Sequence, residues 1–262
     1  MKELRDTQNE SDDRQLPIDR VGVRGLRFPV EVRDRAGRAQ QTVARVSLAV
    51  DLPHHFKGTH MSRFVEALNA HGGVIDVHSM SALPRELLAR LDATRAHVEF
   101  EFPFFRRKAA PVTGMEAIID CDVRFTVEAD RDGGGDFVVA VMVPVATLCP
   151  CSKAISARGA HNQRGRVTYS VRFRKPVWIE DLVALVEDSA SCELFSLLKR
   201  PDEKWVTERA YDHPVFVEDL VRNIATRSKA HAEIRWFRVE AENFESIHNH
   251  NAYAVIEGGA QD

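Results

Sequence analysis

Two periods of apolar residues divide this chain. Val46, Leu48, Val50 and Leu52 recur at every second position, as do Val98, Phe100, Phe102 and Phe104, and then Cys121, Val123, Phe125 and Val127. Period two is the mark of a strand with one buried face. Between these segments Met61, Phe64, Val65 and Leu68, followed by Leu87, Leu88 and Leu91, recur at helical spacing. The pattern predicts an antiparallel pair, Val21 to Arg33 with Val43 to Leu52, turned at Arg35-Ala36-Gly37. Thr59 is the expected N-cap of the first helix, Gly72-Gly73 its end, and Pro84 sits in the first turn of the second. Pro103 has no N–H for a ladder, so its strand is expected at an edge or a bulge. The order is ββααββ.

After the turn Asp132-Gly133-Gly134-Gly135-Asp136 the order recurs. Phe137 to Val145 and Arg166 to Arg174 read as strands. Ile179, Leu182, Val183 and Val186 mark a helix, and Phe216, Leu220, Val221 and Ile224 mark another that Pro214 starts. Ile234 to Glu240 and Ala252 to Ile256 close the series as strands. The expectation is an α+β fold of two ββααββ modules, residues 18–130 and 131–262, with antiparallel sheet on one side and helices on the other. Met1 to Pro17 carries almost nothing to bury and is expected to be a disordered arm.

Composition narrows the function classes. With 262 residues and 44% hydrophobic content the chain is long enough for a real core. A formal charge of −3 and a pI near 6.4 give no general attraction to nucleic acid or an anionic membrane, so any anion must be gripped locally. Met1 to Arg20 lacks the apolar stretch of a signal peptide, and the longest apolar run, Phe137 to Leu148, is too short to span a bilayer. A soluble, cytoplasmic protein is the expectation. Its four cysteines, Cys121, Cys149, Cys151 and Cys192, are then expected as reduced thiols.

The chemistry concentrates in one loop. Cys149-Pro150-Cys151-Ser152-Lys153 runs on to Gly159-Ala160-His161-Asn162-Gln163-Arg164-Gly165, between an apolar and an alternating segment. A loop that rich in ligands and cations, held between two strands, is where a rigid scaffold would keep a site. A Cys-x-Cys with no second pair does not complete a four-cysteine zinc site. Glu203 lies in the polar connection Lys199 to Lys204, Glu218 near the start of the last helix, and Glu245, His248 and His250 in the turn between the last two strands. Taken singly, each has a plainer reading: His161, His248 and His250 as polar loop residues, and Glu203 and Glu218 as solvated charges. Cys121, Cys151 and Cys192 read as packing residues, and Arg106-Arg107-Lys108 as a solvated strand end.

The loop, together with Gly58-Thr59-His60-Met61-Ser62-Arg63-Phe64 and Glu245-Ser246-Ile247-His248-Asn249-His250, closely resembles the signature of GTP cyclohydrolase I of the IB type. The resemblance covers nearly all of the chain after the arm. It implies the tunnelling fold, with two ββααββ modules per subunit. It also implies hydrolysis of GTP to 7,8-dihydroneopterin triphosphate with C8 lost as formate, the entry step to folate-type pterins. Cys149, His161, Glu203 and His248 carry over as ligands of a divalent metal, zinc, manganese or iron, with no organic cofactor. Four ligands would fill a tetrahedral zinc, so five-coordination or release of Glu203 is expected. Glu218 carries over as the guanine acceptor. His60, Arg63, Lys153, Arg164 and Arg166 are candidates for the triphosphate, and Cys149, Glu245 and His248 for proton transfer. A homo-oligomer, a tetramer, with sites where subunits meet is implied, so His60 to Arg63 would come from a neighbouring chain. Two rival readings are a nitrile reductase of queuosine synthesis with a free cysteine nucleophile, and a non-catalytic oligomer with a structural metal.

Overall fold

The computed structural model describes residues 6–8, 10–76 and 80–259. Residues 1–5 and 9 of the expected arm, and 260–262 at the end of the second expected module, lie outside the described residues. The class is α+β: among the described residues there are six helices and a large, mainly antiparallel sheet. Contacts divide the chain into two compact units, Met1–Phe102 with Arg124–Val138, and Pro103–Val123 with Val139–Asp262.

The first unit starts with β1 (Ile18–Arg33) and β2 (Ala39–Leu52), antiparallel about the turn at residues 34–38. Their alternation turns Val30, Val32, Ala44, Val46, Leu48 and Val50 into the core. At the register shift between Val23 and Leu26, Gly25 takes φ 76°, a left-handed value that suits a bulge glycine. Two helices, α1 (Met61–His71) and α2 (Ala82–Leu91), pack on each other and on the hairpin through Phe64, Leu68, Leu83 and Leu87. Each such buried side chain contributes roughly 1.5–3 kcal/mol. A short β3 (Val74–Ile75) joins β1 in parallel. His60, not Thr59, occupies the N-cap of α1, and Gly72 at φ 73° ends the helix as predicted.

β4 (Arg95–Ala109) is not an edge strand. It lies between β2 and β5 (Glu116–Asp130), and its register with β2 stops at Glu101, two residues short of Pro103. The proline therefore interrupts no bond of that ladder. Phe102 and Phe125 meet edge to face at 5.3 Å, and Phe125 meets Phe137 of β6 (Gly135–Leu148) at 5.4 Å. The arm makes main-chain bonds that its polar composition does not encode: Gly58 N–H to Gln8 O and Lys57 N–H to Glu10 O. Asp6 Oδ2 also lies 3.2 Å from His60 Nε2.

The second unit holds the strand order β10–β9–β7–β6, with β7 (Asn162–Phe173), β9 (Ile234–Asn243) and β10 (Ala252–Gly259). Between β6 and β7 stands one turn and a half of helix, α3 (Pro150–Ile155). The helices α4 (Ile179–Glu187) and α6 (Val217–Ala230) bury Leu182, Val183, Val186, Leu220, Val221 and Ile224. β8 (Cys192–Glu193) pairs with β6. Tyr169 on β7 bonds Ser228 of α6 at 2.7 Å, which marks the helix-facing side of the strand. Burial pushes the Tyr169 hydroxyl up to about 12, against the Ser228 bond.

Three expectations fail in this unit. The polar connection holding Glu203 is the first turn of a helix, α5 (Arg200–Asp212), which shows no apolar stripe because only Asp202 and Ala210 are buried. Arg106 and Lys108 are not a solvated strand end: both reach Glu187 Oε1 at 2.8 Å and are largely buried, whereas Arg107 is exposed. Period two explains the split, since residues 106 and 108 share the face of buried Phe104. Cys121 and Cys192 pack inside, but Cys151 is exposed on α3.

Candidate functional site

Cys149 follows the last residue of β6 and is the N-cap of α3, with Pro150 at the first helical position. Its N–H donates to His161 O at 3.1 Å, continuing the β6–β7 ladder one step past the Leu148–Asn162 pair. The loop from residue 149 to 161 is thus closed by the sheet that supports it. Ser152 fastens it further. Its N–H donates to Cys149 Sγ at 3.4 Å, its hydroxyl donates to Cys149 O at 3.1 Å, and the same Oγ accepts from His161 N–H at 3.1 Å. Thiol and imidazole are half-buried side chains on one fixed frame.

Behind His161 the polar contacts go inward. Its Nδ1 lies 3.0 Å from Gln163 Oε1, and Gln163 Nε2 donates to the hydroxyl of fully buried Thr147 at 2.9 Å. Gly165, next on that face, leaves a gap filled by Asn243, whose Oδ1 would stand 2.7 Å from an added Cβ. That oxygen is itself buried, with no hydrogen-bond partner among the described residues. Sequence reasoning passed over Gln163 and Thr147. The signal was present, because Gln163 is in phase with core residues Val167 and Tyr169, and an amide on a core face needs partners.

Lys153 extends from α3 to α5, donating to Tyr211 O at 2.5 Å and lying 4.2 Å from the Tyr211 ring centroid. Next to this strut Gly159, Ala160, Asn162, Tyr211 and Asp212 line a cavity of about 510 Å³. Glu203 is exposed in the first turn of α5, and Glu218 is exposed in the first turn of α6. Glu245 is half-buried after β9, and His248 is exposed in the following loop, its ring stacked on His250 at 5.0 Å. Among the described residues no three His, Cys, Asp or Glu side chains converge as a metal site, so Glu203 and His248 do not close a ligand set with Cys149 and His161 within the chain.

Arg164 and Arg166 project from the face of β7 away from Tyr169 and the helices. They border a second cavity, of about 430 Å³, with Asp120, Asp122 and Phe244, and Arg166 reaches Glu242 at 3.4 Å. His60 and Arg63 belong to the first unit, where Arg63 donates to Arg90 O at 3.1 Å.

One buried carboxylate went unnoticed in the sequence. Asp202, beside Glu203, accepts from Val112 N–H, Thr113 N–H and Lys199 N–H at 2.9 Å each and from the Thr113 hydroxyl at 2.7 Å. Burial pushes its pKa up, but these bonds outweigh it and hold the group down to about 2.

A family model described as Type I GTP cyclohydrolase folE2 matches residues 4–254. GTP cyclohydrolase FolE2 of Akkermansia muciniphila is 68% identical over 259 residues, 98% of each chain. That of Magnetococcus marinus is 54% identical over 256 residues, 98% of this chain and 96% of the other. The chain belongs to the type I GTP cyclohydrolase FolE2 family. Among solved structures, uricase from Arthrobacter globiformis has a TM-score of 0.57 at 11% identity, over 93% of this chain and 94% of that one. Urate oxidase of Bacillus sp. TB-90 reaches 0.54 at 8%, over 93% and 100%. These likenesses show the fold alone, and they agree with the tunnelling-type architecture. The family likeness supports neither the nitrile reductase nor the non-catalytic oligomer.

Proposed function

We propose that this chain hydrolyses GTP to 7,8-dihydroneopterin triphosphate and formate, with the guanine ring opened at C8 beside Cys149 and His161, as the first step of folate-type pterin synthesis in the cytoplasm. The observation that carries the reading is the closed frame that holds Cys149 and His161 opposite one another at the end of the β6–β7 ladder, in a chain that matches the family along residues 4–254. The donor chemistry fits a divalent metal. Cys149 and His161 would hold it, Glu203 and His248 would be further ligands, and zinc, manganese and iron all suit such a set. Bound there, the metal supplies a water whose pKa is low enough to give hydroxide near neutral pH. No organic cofactor enters the reading.

The chain's own groups supply the rest. The Glu218 carboxylate accepts the guanine N1–H and 2-amino protons as a pair. The triphosphate falls to His60, Arg63, Arg164, Arg166 and Lys153, the last once it leaves Tyr211 O. Glu245 and His248, with Cys149 as thiol, move protons during ring opening and rearrangement. The chain works as two tandem ββααββ modules, 18–130 and 131–262, in a homo-oligomer, a tetramer, where His60 and Arg63 of a neighbouring copy complete each site. The observed strand and helix order supports the tandem reading, with α3 and one further helix added in the second half.

Metal-stripped protein given GTP with Zn²⁺, Mn²⁺ or Fe²⁺ in turn should yield a pterin, read by fluorescence after oxidation, only when refilled. Cys149→Ala should lower that rate by about 100-fold or more. Folded, metal-loaded protein that yields no pterin with any of the three would refute the reading.

A further inference from the structure

Gln163 stands between the half-buried His161 ring and buried Thr147. Only 9% of Gln163 is exposed, and both ends of its amide are engaged. The ladder sets Gln163 directly across from Thr147, whose hydroxyl pairs with either end of an amide; in the structure it faces Nε2, at 2.9 Å. The end turned to His161 Nδ1 is then the carbonyl, at 3.0 Å. A carbonyl oxygen has no proton to give, so Nδ1 must carry one. In a neutral imidazole the lone pair is then on Nε2.

We propose that Gln163 is a positioning residue that locks His161 in the Nδ1–H tautomer and so makes Nε2 the atom offered to the site. The consequence for metal binding rests on His161 being a ligand as read above; the tautomer itself does not. Thr147 serves the arrangement from one residue further in, because its hydroxyl satisfies the end of the Gln163 amide turned away from His161. The Ser152 Oγ contact to His161 N–H holds the backbone of the same residue, so ring and backbone are fixed by separate partners. Partners of this kind behind a ligating histidine affect metal affinity by about 10- to 100-fold.

The test is long-range ¹H–¹⁵N NMR of metal-stripped, ¹⁵N-histidine-labelled protein near pH 8, above the ordinary imidazole range of about 6.5. His161 is assigned by the signal missing from His161→Gln. The expected spectrum has a protonated Nδ1 and a bare Nε2. Gln163→Leu, which keeps the volume but accepts nothing, should mix the two tautomers, and Gln163→Glu, which restores an acceptor, should return Nδ1–H. Zinc titrated into the same samples should bind Gln163→Leu about 10-fold or more weakly and Gln163→Glu near normally. An Nε2–H tautomer in the unsubstituted protein, or one unmoved by Gln163→Leu, would overturn the proposal. A tautomer that shifts as expected with unchanged zinc affinity would uphold the positioning role and remove His161 from the ligand set.

Discussion

Cys149 and Cys151 are two residues apart and chemically identical, and their surroundings separate them. Cys149 receives the Ser152 N–H and sits in the frame with His161, while Cys151 faces solvent from α3. Cys121 and Cys192 are enclosed, and burial pushes their thiols up to about 12 and about 11, with nearby cations pulling the other way. Iodoacetamide at pH 8 should therefore label Cys151 first and leave Cys121 and Cys192 until the chain unfolds, read by peptide mass spectrometry; early labelling of Cys121 would contradict the packing described. These raised thiols also set a pH dependence. The folded protein keeps their protons where the unfolded chain, near 9.0, has begun to lose them. Their contribution is whole below about pH 9 and declines as the pH rises through the folded values, so denaturant midpoints should fall on the alkaline side, less steeply in Cys121→Ala. At this scale the sequence singled out the loop that the structure closes into one frame, since Cys149 and His161 stand within one run of seventeen residues. It did not show that Cys151 is exposed, because a six-residue helix that buries nothing leaves no hydrophobic signature.

Among the elements, α5 was the least legible. Its sequence is mostly polar, and it is placed by one buried carboxylate and by Lys153 on Tyr211 instead of an apolar stripe. Asp202 gathers four donors from Val112, Thr113 and Lys199 and so ties the start of the helix, with Glu203 on it, to the turn after β4. Replacing it with Ala would leave those donors without their acceptor. Asp202→Ala should lower Tm and expose the Val112 and Thr113 amides to hydrogen exchange, while exposed Glu208→Ala on the same helix should leave both unchanged. The carboxylate has an acid-side signature as well. With its pKa down to about 2 from 3.8, the stability it brings is complete above about pH 4 and is lost as the pH falls towards 2, a slope that Asp202→Asn should lack. Strands and amphipathic helices were readable because their period is written in apolar residues. Strand β4 was misjudged because Pro103 reads as an edge signal, and only the β2 register shows that the ladder ends before it.

For the whole molecule, alternation and helical spacing were enough to give an α+β chain with eight of its strands and four of its helices near their observed places. What they could not give is assembly, since that depends on surfaces whose partners leave no period in the sequence. β10 ends the sheet with Tyr253 and Val255 exposed, and no three candidate ligands close on one point within the described chain. The proposed reading has a second copy complete the site, with His60 and Arg63 reaching the Cys149–His161 loop of a neighbour. The most direct measurement is GTP turnover to pterin by Cys149→Ala and Arg63→Ala chains, each alone and after mixing under conditions that exchange subunits, with hybrid formation followed by native mass spectrometry. The account predicts two nearly inactive parents and a hybrid that regains on the order of a quarter of the normal rate, because some sites then draw an intact loop from one chain and an intact arginine from the other. A Cys149→Ala parent as active as the unsubstituted chain would remove the loop from the reaction, and hybrids no more active than their parents would contradict a site shared between copies.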